Sequence, residues 1–157
     1  MSDIDKAIIN LYDTFRNYPL KPKIEGCPHC ELDSAESTLH IRQLHYLTWD
    51  DFGVYPFKAM TTFGDLKDFK HFLPRMLELY RADYKGSPYG VFILFEKLNY
   101  GAWESWSISE VEAVRIYLNL WLEELRTKRA IGDADVWQVE EIISEFRKYG
   151  FASSVTD

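Results

Sequence analysis

The sequence predicts an all-α fold, a single-domain helical bundle with irregular loops that spans residues 1–157. Three observations predict it. Apolar residues recur at helical spacing in several segments. Capping signals precede several of those segments. The chain also lacks the alternation of strands and helices that a βαβ fold requires. At this length one domain buries a core without disulfides.

Helix starts are read from residues that can cap a first turn, each followed by apolar periodicity. Predicted helices begin at or near Ser2, Asp33, Thr48, Asp65, Ser107 and Asp133. Ser2 with Asp5 and Ser107 with Glu110 form the strongest signals, because each pair matches a capping box. The stretch 55–63 is predicted to be irregular or extended, since it contains Pro56 and paired threonines.

The segment from Asp65 to Tyr84 has the clearest amphipathic pattern, with apolar residues on one face at about 100° per residue. Pro74 lies inside this segment. Because a proline removes one helical hydrogen bond and clashes with the preceding turn, a long helix interrupted at Pro74 is expected, either kinked or split into two abutting helices.

Two later segments are strongly apolar. The run from Val91 to Phe95 fits a buried strand or a short buried helix. Helix is favoured because the sequence offers no second strand to pair with it. The helix after Ser107 is apolar around most of its circumference, and we expect it to be the most buried element. Exposure of its flank at Ile116 and Leu120 would instead mark an interface.

The chain is acidic, with a net charge of −7. This charge repels phosphate backbones, so a nucleic-acid partner is not expected, whereas cations or a basic protein partner are favoured. No apolar run is long enough to span a bilayer, and the first residues do not resemble a signal peptide. A cytoplasmic location is the expectation.

One segment carries a localised chemical signal, Cys27-Pro28-His29-Cys30. It is similar to the active site of bacterial thiol oxidases of the thioredoxin class, in which the first cysteine has a depressed pKa. That fold needs a strand before the motif and a helix opening at the first cysteine. The residues around this segment do not predict them, so thiol–disulfide activity is the weaker interpretation.

The same segment also fits a zinc site, because two cysteines at this spacing can bind one tetrahedral ion. Two further ligands are needed. His71 is the best third candidate, since it lies on the polar face of its helix beside Pro74. The predicted zinc set is Cys27, Cys30 and His71, with Asp68 or His29 as the fourth ligand. The alternative is that both cysteines are reduced and inert, and that His71 is solvated between Asp68 and Arg75.

Aromatic residues are concentrated between two predicted helices, at Tyr100, Trp103 and Trp106. Trp and Tyr are common in interface hot spots, so these three form a candidate protein-binding surface. The alternative is that the two tryptophans cover the helix that follows Ser107.

Several segments taken together resemble a family of uncharacterised bacterial proteins. They are Cys27-Pro28-His29-Cys30, Ala59-Met60-Thr61-Thr62-Phe63-Gly64-Asp65, Asp68-Phe69-Lys70-His71-Phe72-Leu73-Pro74-Arg75, and Lys97-Leu98-Asn99-Tyr100 with Trp103. The resemblance covers most of the chain. It implies a bacterial origin and an all-helical domain, and it implies no activity.

These observations favour a non-enzymatic protein-binding domain, with a structural zinc as its candidate cofactor. An immunity or antitoxin-type inhibitor of a basic toxin is the most specific form of this hypothesis. The alternative is an enzyme, either a thiol–disulfide oxidoreductase at Cys27 and Cys30 or a metal-dependent hydrolase at a Cys/His site.

Overall fold

The structure is a computed structural model that describes residues 1–28, 32–132 and 135–151. Within these residues it contains eight α-helices and no β-strand, which confirms the all-α prediction. The helices are α1 (Asp3–Thr14), α2 (Asp33–Thr38), α3 (Trp49–Phe52), α4 (Tyr55–Lys58), α5 (Leu66–Ala82), α6 (Phe92–Tyr100), α7 (Ile108–Ile131) and α8 (Val136–Lys148). Short 3₁₀ turns occupy Leu44–Tyr46, Tyr84–Gly86 and Trp103–Ser105.

Local capping chemistry sets the start of four helices. Reciprocal capping boxes begin α1, α3, α5 and α7, at Ser2, Thr48, Asp65 and Ser107. In each box the cap side chain accepts a hydrogen bond from a backbone N–H in the first turn, and an acidic side chain three residues later accepts one from the cap residue. All four positions match helix starts predicted from the sequence.

The longest helix, α7, packs against both α1 and α8. Its inner face is fully buried at Tyr117, Leu118 and Trp121. Its flank differs from expectation, because the Ile116 side chain is 48% exposed. Helix α5 buries ten of its 17 residues and α7 buries eight of its 24, so the prediction that α7 is the most buried element is wrong. The apolar arc of α7 is wider than the surfaces that cover it.

Two predictions concern segments that contain a proline, and the structure decides both. The stretch 55–63 was expected to be irregular or extended, but its first part is the short helix α4. Pro56 lies in the first turn of α4, where a backbone N–H has no helical acceptor and is not needed. In α5, Pro74 lies inside one helix that runs without a break from Leu66 to Ala82, so the alternative of two abutting helices does not occur.

The apolar run from Val91 to Phe95 belongs to the start of α6, which confirms the choice of helix over strand. The last helix ends before Gly150, as predicted, while its expected start at Asp133 lies outside the described residues. None of the described helices combines the length and the hydropathy that crossing a membrane requires.

Candidate functional site

A cleft of about 310 Å³ opens where the C-terminal end of α1 approaches α5. We call it the Tyr12–His71 cleft after two of the residues that line it. Its apolar wall is formed by Phe15, Pro19, Leu44 and Pro74. Clefts of this size with apolar walls and a few polar groups are typical of sites for small ligands.

The polar group that is best fixed in this cleft is the imidazole of His71. Its Nδ1 lies 2.8 Å from the backbone carbonyl oxygen of Tyr18. A carbonyl oxygen only accepts hydrogen bonds, so Nδ1 carries the proton and donates it. In the neutral ring Nε2 is then left with a lone pair. No described residue forms a hydrogen bond with Nε2.

Burial keeps this imidazole neutral. The side chain is half-buried, and its desolvation lowers the pKa of His71 below the usual value for histidine. The hydrogen bond to Tyr18 and the charge of Asp68 oppose that shift without overcoming it. At neutral pH the ring is therefore an acceptor at Nε2, the state in which histidine binds a donor or a metal ion.

A second histidine, His45, also lines the cleft. The imidazole of His45 is stacked on the ring of Tyr12, with centroids 3.9 Å apart and planes at 16°. The Tyr12 hydroxyl donates a hydrogen bond of 2.8 Å to Glu78, which also pairs with Arg75 at 2.6 Å. These contacts anchor the ring of Tyr12, and the stacked imidazole lies on that anchored surface.

A buried ion pair holds the side chain of Tyr18, one of the residues that line the cleft. The ammonium of Lys70 lies 3.0 Å from the carboxylate of Glu110, and both residues are less than one-tenth exposed. Tyr18 donates its hydroxyl proton to Glu110 and accepts a hydrogen bond of 3.1 Å from Lys70. The same ammonium lies 4.6 Å from the centroid of the Trp106 indole. Tyr18 is thus fixed at its hydroxyl by this pair and at its carbonyl by His71.

The opening of the cleft carries one charge of each sign. Asp13 and Arg16 both line it, and both are exposed. Among the described residues neither side chain is part of an ion pair. A ligand entering the cleft therefore meets one carboxylate and one guanidinium that have no charged partner in the described part of the chain.

Two of the predicted zinc ligands, Cys27 and Asp68, lie among the described residues and contact other groups of the protein. The backbone N–H of Cys27 donates to the carbonyl of Thr62 at 2.8 Å. Asp68 is buried, where it accepts from the N–H of Asp65 at 2.8 Å and lies near Lys21. Burial raises the pKa of Asp68.

The other two candidate ligands, His29 and Cys30, lie outside the described residues. Within the described residues, no group of three or more His, Cys, Asp or Glu side chains is arranged to hold a metal ion. The zinc set stays a prediction, which elemental analysis of protein purified without a metal-chelating tag would test.

The predicted aromatic surface has one exposed member. Tyr100 is 61% exposed, whereas Trp103 and Trp106 are buried. The Trp106 indole N–H donates to the carbonyl of Gly101 at 2.8 Å. Both tryptophans are therefore buried, with the Trp106 ring against Phe15 and Phe69, and of the three candidate interface residues only Tyr100 presents its side chain to solvent.

Two further clefts lie elsewhere. One of about 580 Å³ is bordered by Cys27 and Pro28, next to residues 29–31, which lie outside the described part of the chain. The other, of about 500 Å³, runs between α1 and α7 and is lined by Ala7, Ile116 and Leu120 among others. We call it the α1–α7 groove.

Sequence reasoning singled out His71 but missed the residues that surround it. Nothing in the sequence neighbours of Tyr18 points to Glu110, and no pattern in the sequence places His45 beside Tyr12. A nearby histidine, His40, follows the end of α2 at Thr38 and pairs with Glu36.

Comparison with known proteins adds no relative. No family model matches the sequence, and neither a curated protein nor a solved structure matches the chain. The resemblance to an uncharacterised bacterial family therefore stays a prediction, and function has to be argued from the geometry of the cleft.

Proposed function

We propose that the protein is a binding domain whose ligand occupies the Tyr12–His71 cleft and donates a hydrogen bond to Nε2 of His71. The observation that supports this most directly is the contact between Nδ1 of His71 and the carbonyl of Tyr18. It assigns the proton to Nδ1 and leaves an oriented acceptor in a partly apolar cleft. A half-buried acceptor that no described residue contacts gains by meeting a ligand donor.

The remaining walls define the rest of the ligand. Phe15, Leu44 and Pro74 offer apolar surface, and the ring of Tyr12 adds an aromatic face. A ligand with an apolar, preferably aromatic, body and one hydrogen-bond donor matches this lining. Because Tyr18 is held by the buried pair of Lys70 and Glu110, and Tyr12 by the partly buried Glu78, the cleft is preorganised and little ordering is required on binding.

Two matched probes test this proposal, 2-phenylethanol and its methyl ether. They have the same aromatic body, and only the alcohol has a donor. We expect the alcohol to shift the amide resonances of residues lining the cleft in ¹H–¹⁵N spectra, with a dissociation constant in the millimolar range, as is usual for fragments with so few atoms. The ether should bind several-fold more weakly.

His71→Asn is the matched variant. The amide nitrogen of asparagine can replace Nδ1 as the donor to Tyr18, but asparagine has no atom at the position of Nε2. We expect this variant to remain folded and to lose the preference for the alcohol over the ether. Equal binding of the two probes to the unmodified protein, or an unchanged preference in His71→Asn, would show that Nε2 is not the recognition group.

A second candidate function, protein binding, is favoured by the α1–α7 groove. The flank of α7 at Ile116 is about half exposed, and Leu120 continues the same apolar strip. With the chain at a net charge of −7, the matching partner is an apolar helix face flanked by basic residues. Site-specific photocrosslinking from position 116 tests this. One defined adduct from 116, absent from the exposed position 108 on the same helix, is the expected result, and equal labelling from both positions would contradict it.

A further inference from the structure

We infer that the ligand of the Tyr12–His71 cleft is a cation, a primary ammonium carried on an aromatic body. The inference rests on the proposed function and specifies the charge of the ligand. Hydrogen-bond acceptors in the cleft, its aromatic rings and the charge of the whole chain all favour a cation.

Two groups of the cleft accept hydrogen bonds. Nε2 of His71 offers a lone pair, and Asp13 offers a carboxylate at the opening. An ammonium has three donors and no acceptor, so it can serve both groups. A carboxylate ligand has no donor, so its lone pairs would face the lone pair of Nε2 and the carboxylate of Asp13. Among these three groups only Arg16 would attract it.

The aromatic rings that line the cleft also favour a cation. Tyr12, Phe15 and Tyr18 all contribute to the lining. The face of an aromatic ring carries negative potential and attracts a cation, by about 0.5–1 kcal/mol at exposed sites. One ring of this lining already contacts a cation, since the Lys70 ammonium lies 4.9 Å from the centroid of the Tyr18 ring.

Arg16 is the charge that opposes a cationic ligand. Its guanidinium and the Asp13 carboxylate have opposite charges, and two charged pairs next to the cleft are neutral as pairs, Lys70 with Glu110 and Arg75 with Glu78. Lys67 is a further cation, beside a neighbouring cavity that Tyr18 and Pro19 also line. At longer range the net charge of −7 on the whole chain sets the sign of the potential. That potential attracts cations.

Three probes of similar size separate the possibilities: 2-phenylethylammonium, 2-phenylethanol and phenylacetate. We expect the ammonium to bind about three- to fivefold more tightly than the alcohol at low ionic strength, the advantage that one exposed ion pair provides. Phenylacetate should bind more weakly than the alcohol. Raising the salt concentration to about 0.5 M should remove most of the advantage of the ammonium, because charges at the opening are screened.

Single charge substitutions locate the effect. Asp13→Asn should remove most of the preference for the ammonium over the alcohol, and Arg16→Gln should increase it. Glu112→Gln is the matched control, because it removes the same charge as Asp13→Asn from an exposed position on α7. It should leave the preference almost unchanged, which separates a local contact from the effect of total charge.

The outcomes separate this inference from the proposed function. Equal affinity for the alcohol and the ammonium would overturn the cation and leave the cleft as a binding site. Tightest binding by phenylacetate, lost in Arg16→Gln, would show an anionic ligand instead. If neither the alcohol nor the ammonium perturbs the residues of the cleft, the proposed function fails together with the inference.

Discussion

Nδ1 of His71 lies 2.8 Å from the carbonyl oxygen of Tyr18, a residue 53 positions earlier in the chain. This contact joins α5 to the segment that follows α1, and it makes the two nitrogens of one imidazole unequal. One is committed to the protein as a donor. The other is an acceptor that forms no hydrogen bond with any described residue.

The first prediction concerns the protonation of this ring. In long-range ¹H–¹⁵N spectra, His71 should show a protonated Nδ1 and an unprotonated Nε2 at pH 7. Because burial lowers the pKa of His71, its titration midpoint should fall below about 6.5, the value of an unperturbed histidine. A ring protonated at Nε2 at pH 7, or a midpoint above that value, would contradict the assignment.

The second prediction concerns acid stability and Asp51. Hydrogen bonds from Arg42, at 2.7 and 3.2 Å, lower the pKa of this buried carboxyl, and the Thr48 cap adds to the effect. A carboxyl with a lowered pKa stabilises the fold above its unfolded-state value of about 3.9, and this contribution is lost as the pH falls through the folded-state value.

Asp51→Asn should therefore reduce the free energy of unfolding most near neutral pH, and the difference from the unmodified protein should shrink below about pH 4. Urea unfolding at a series of pH values measures this. Asp50→Asn removes the same charge from the preceding, exposed position and should have the smaller effect. A difference that grows as the pH falls would mean that the sign is wrong.

The third prediction concerns the buried pair of Lys70 and Glu110. Lys70→Met leaves a carboxylate buried without its cation, which typically costs about 3–5 kcal/mol of unfolding free energy. Adding Glu110→Gln removes the unpaired charge and keeps an acceptor for the Tyr18 hydroxyl. The double variant should therefore be more stable than Lys70→Met alone.

Chemical denaturation of the two variants tests this prediction. The exposed pair of Lys85 and Asp135 provides the control, and Lys85→Ala should change stability by no more than about 0.5 kcal/mol. If Lys70→Met had an equally small effect, the ion pair would not be buried as the structure describes it.

The fourth prediction compares two aliphatic residues of α7. Leu118 is fully buried, whereas Ile116 is 48% exposed. Leu118→Ala should cost about 2–5 kcal/mol because it opens a cavity in a packed core. Ile116→Ala should cost much less, since half of its side chain already lies in water. Thermal unfolding of the two variants gives the comparison, and equal losses would place Ile116 in the core.

The sequence predicted those parts of the fold that depend on nearby residues. The boxes at Ser2, Thr48 and Ser107 each involve a partner three positions away, so their pattern is visible in the chain. The cleft depends on contacts across longer separations. His71 was recognised by its position on a polar helix face, but its partner is a backbone carbonyl, which leaves no residue-type signal.

The same reason explains why Tyr18 was missed as a functional residue. Its hydroxyl contacts Lys70 and Glu110, which lie on α5 and α7 and become neighbours only when these two helices have packed. The helix at Tyr55–Lys58 was missed for a different reason. Proline was taken as a breaker, although in the first turn of a helix its missing N–H and fixed φ are tolerated.

The network of Tyr18, Lys70 and Glu110 joins residues that are far apart in the sequence, and this separation has a consequence for folding kinetics. The contact of Tyr18 with Glu110 closes a loop of 92 residues, and that of Lys70 with Glu110 closes one of 40. Such contacts are entropically costly until the helices are docked, so we expect them to form after the folding transition state. Substitutions in the network should then accelerate unfolding more than they slow folding. The wall of the cleft is thus completed among the last events of folding, so partly folded chains would not present the site.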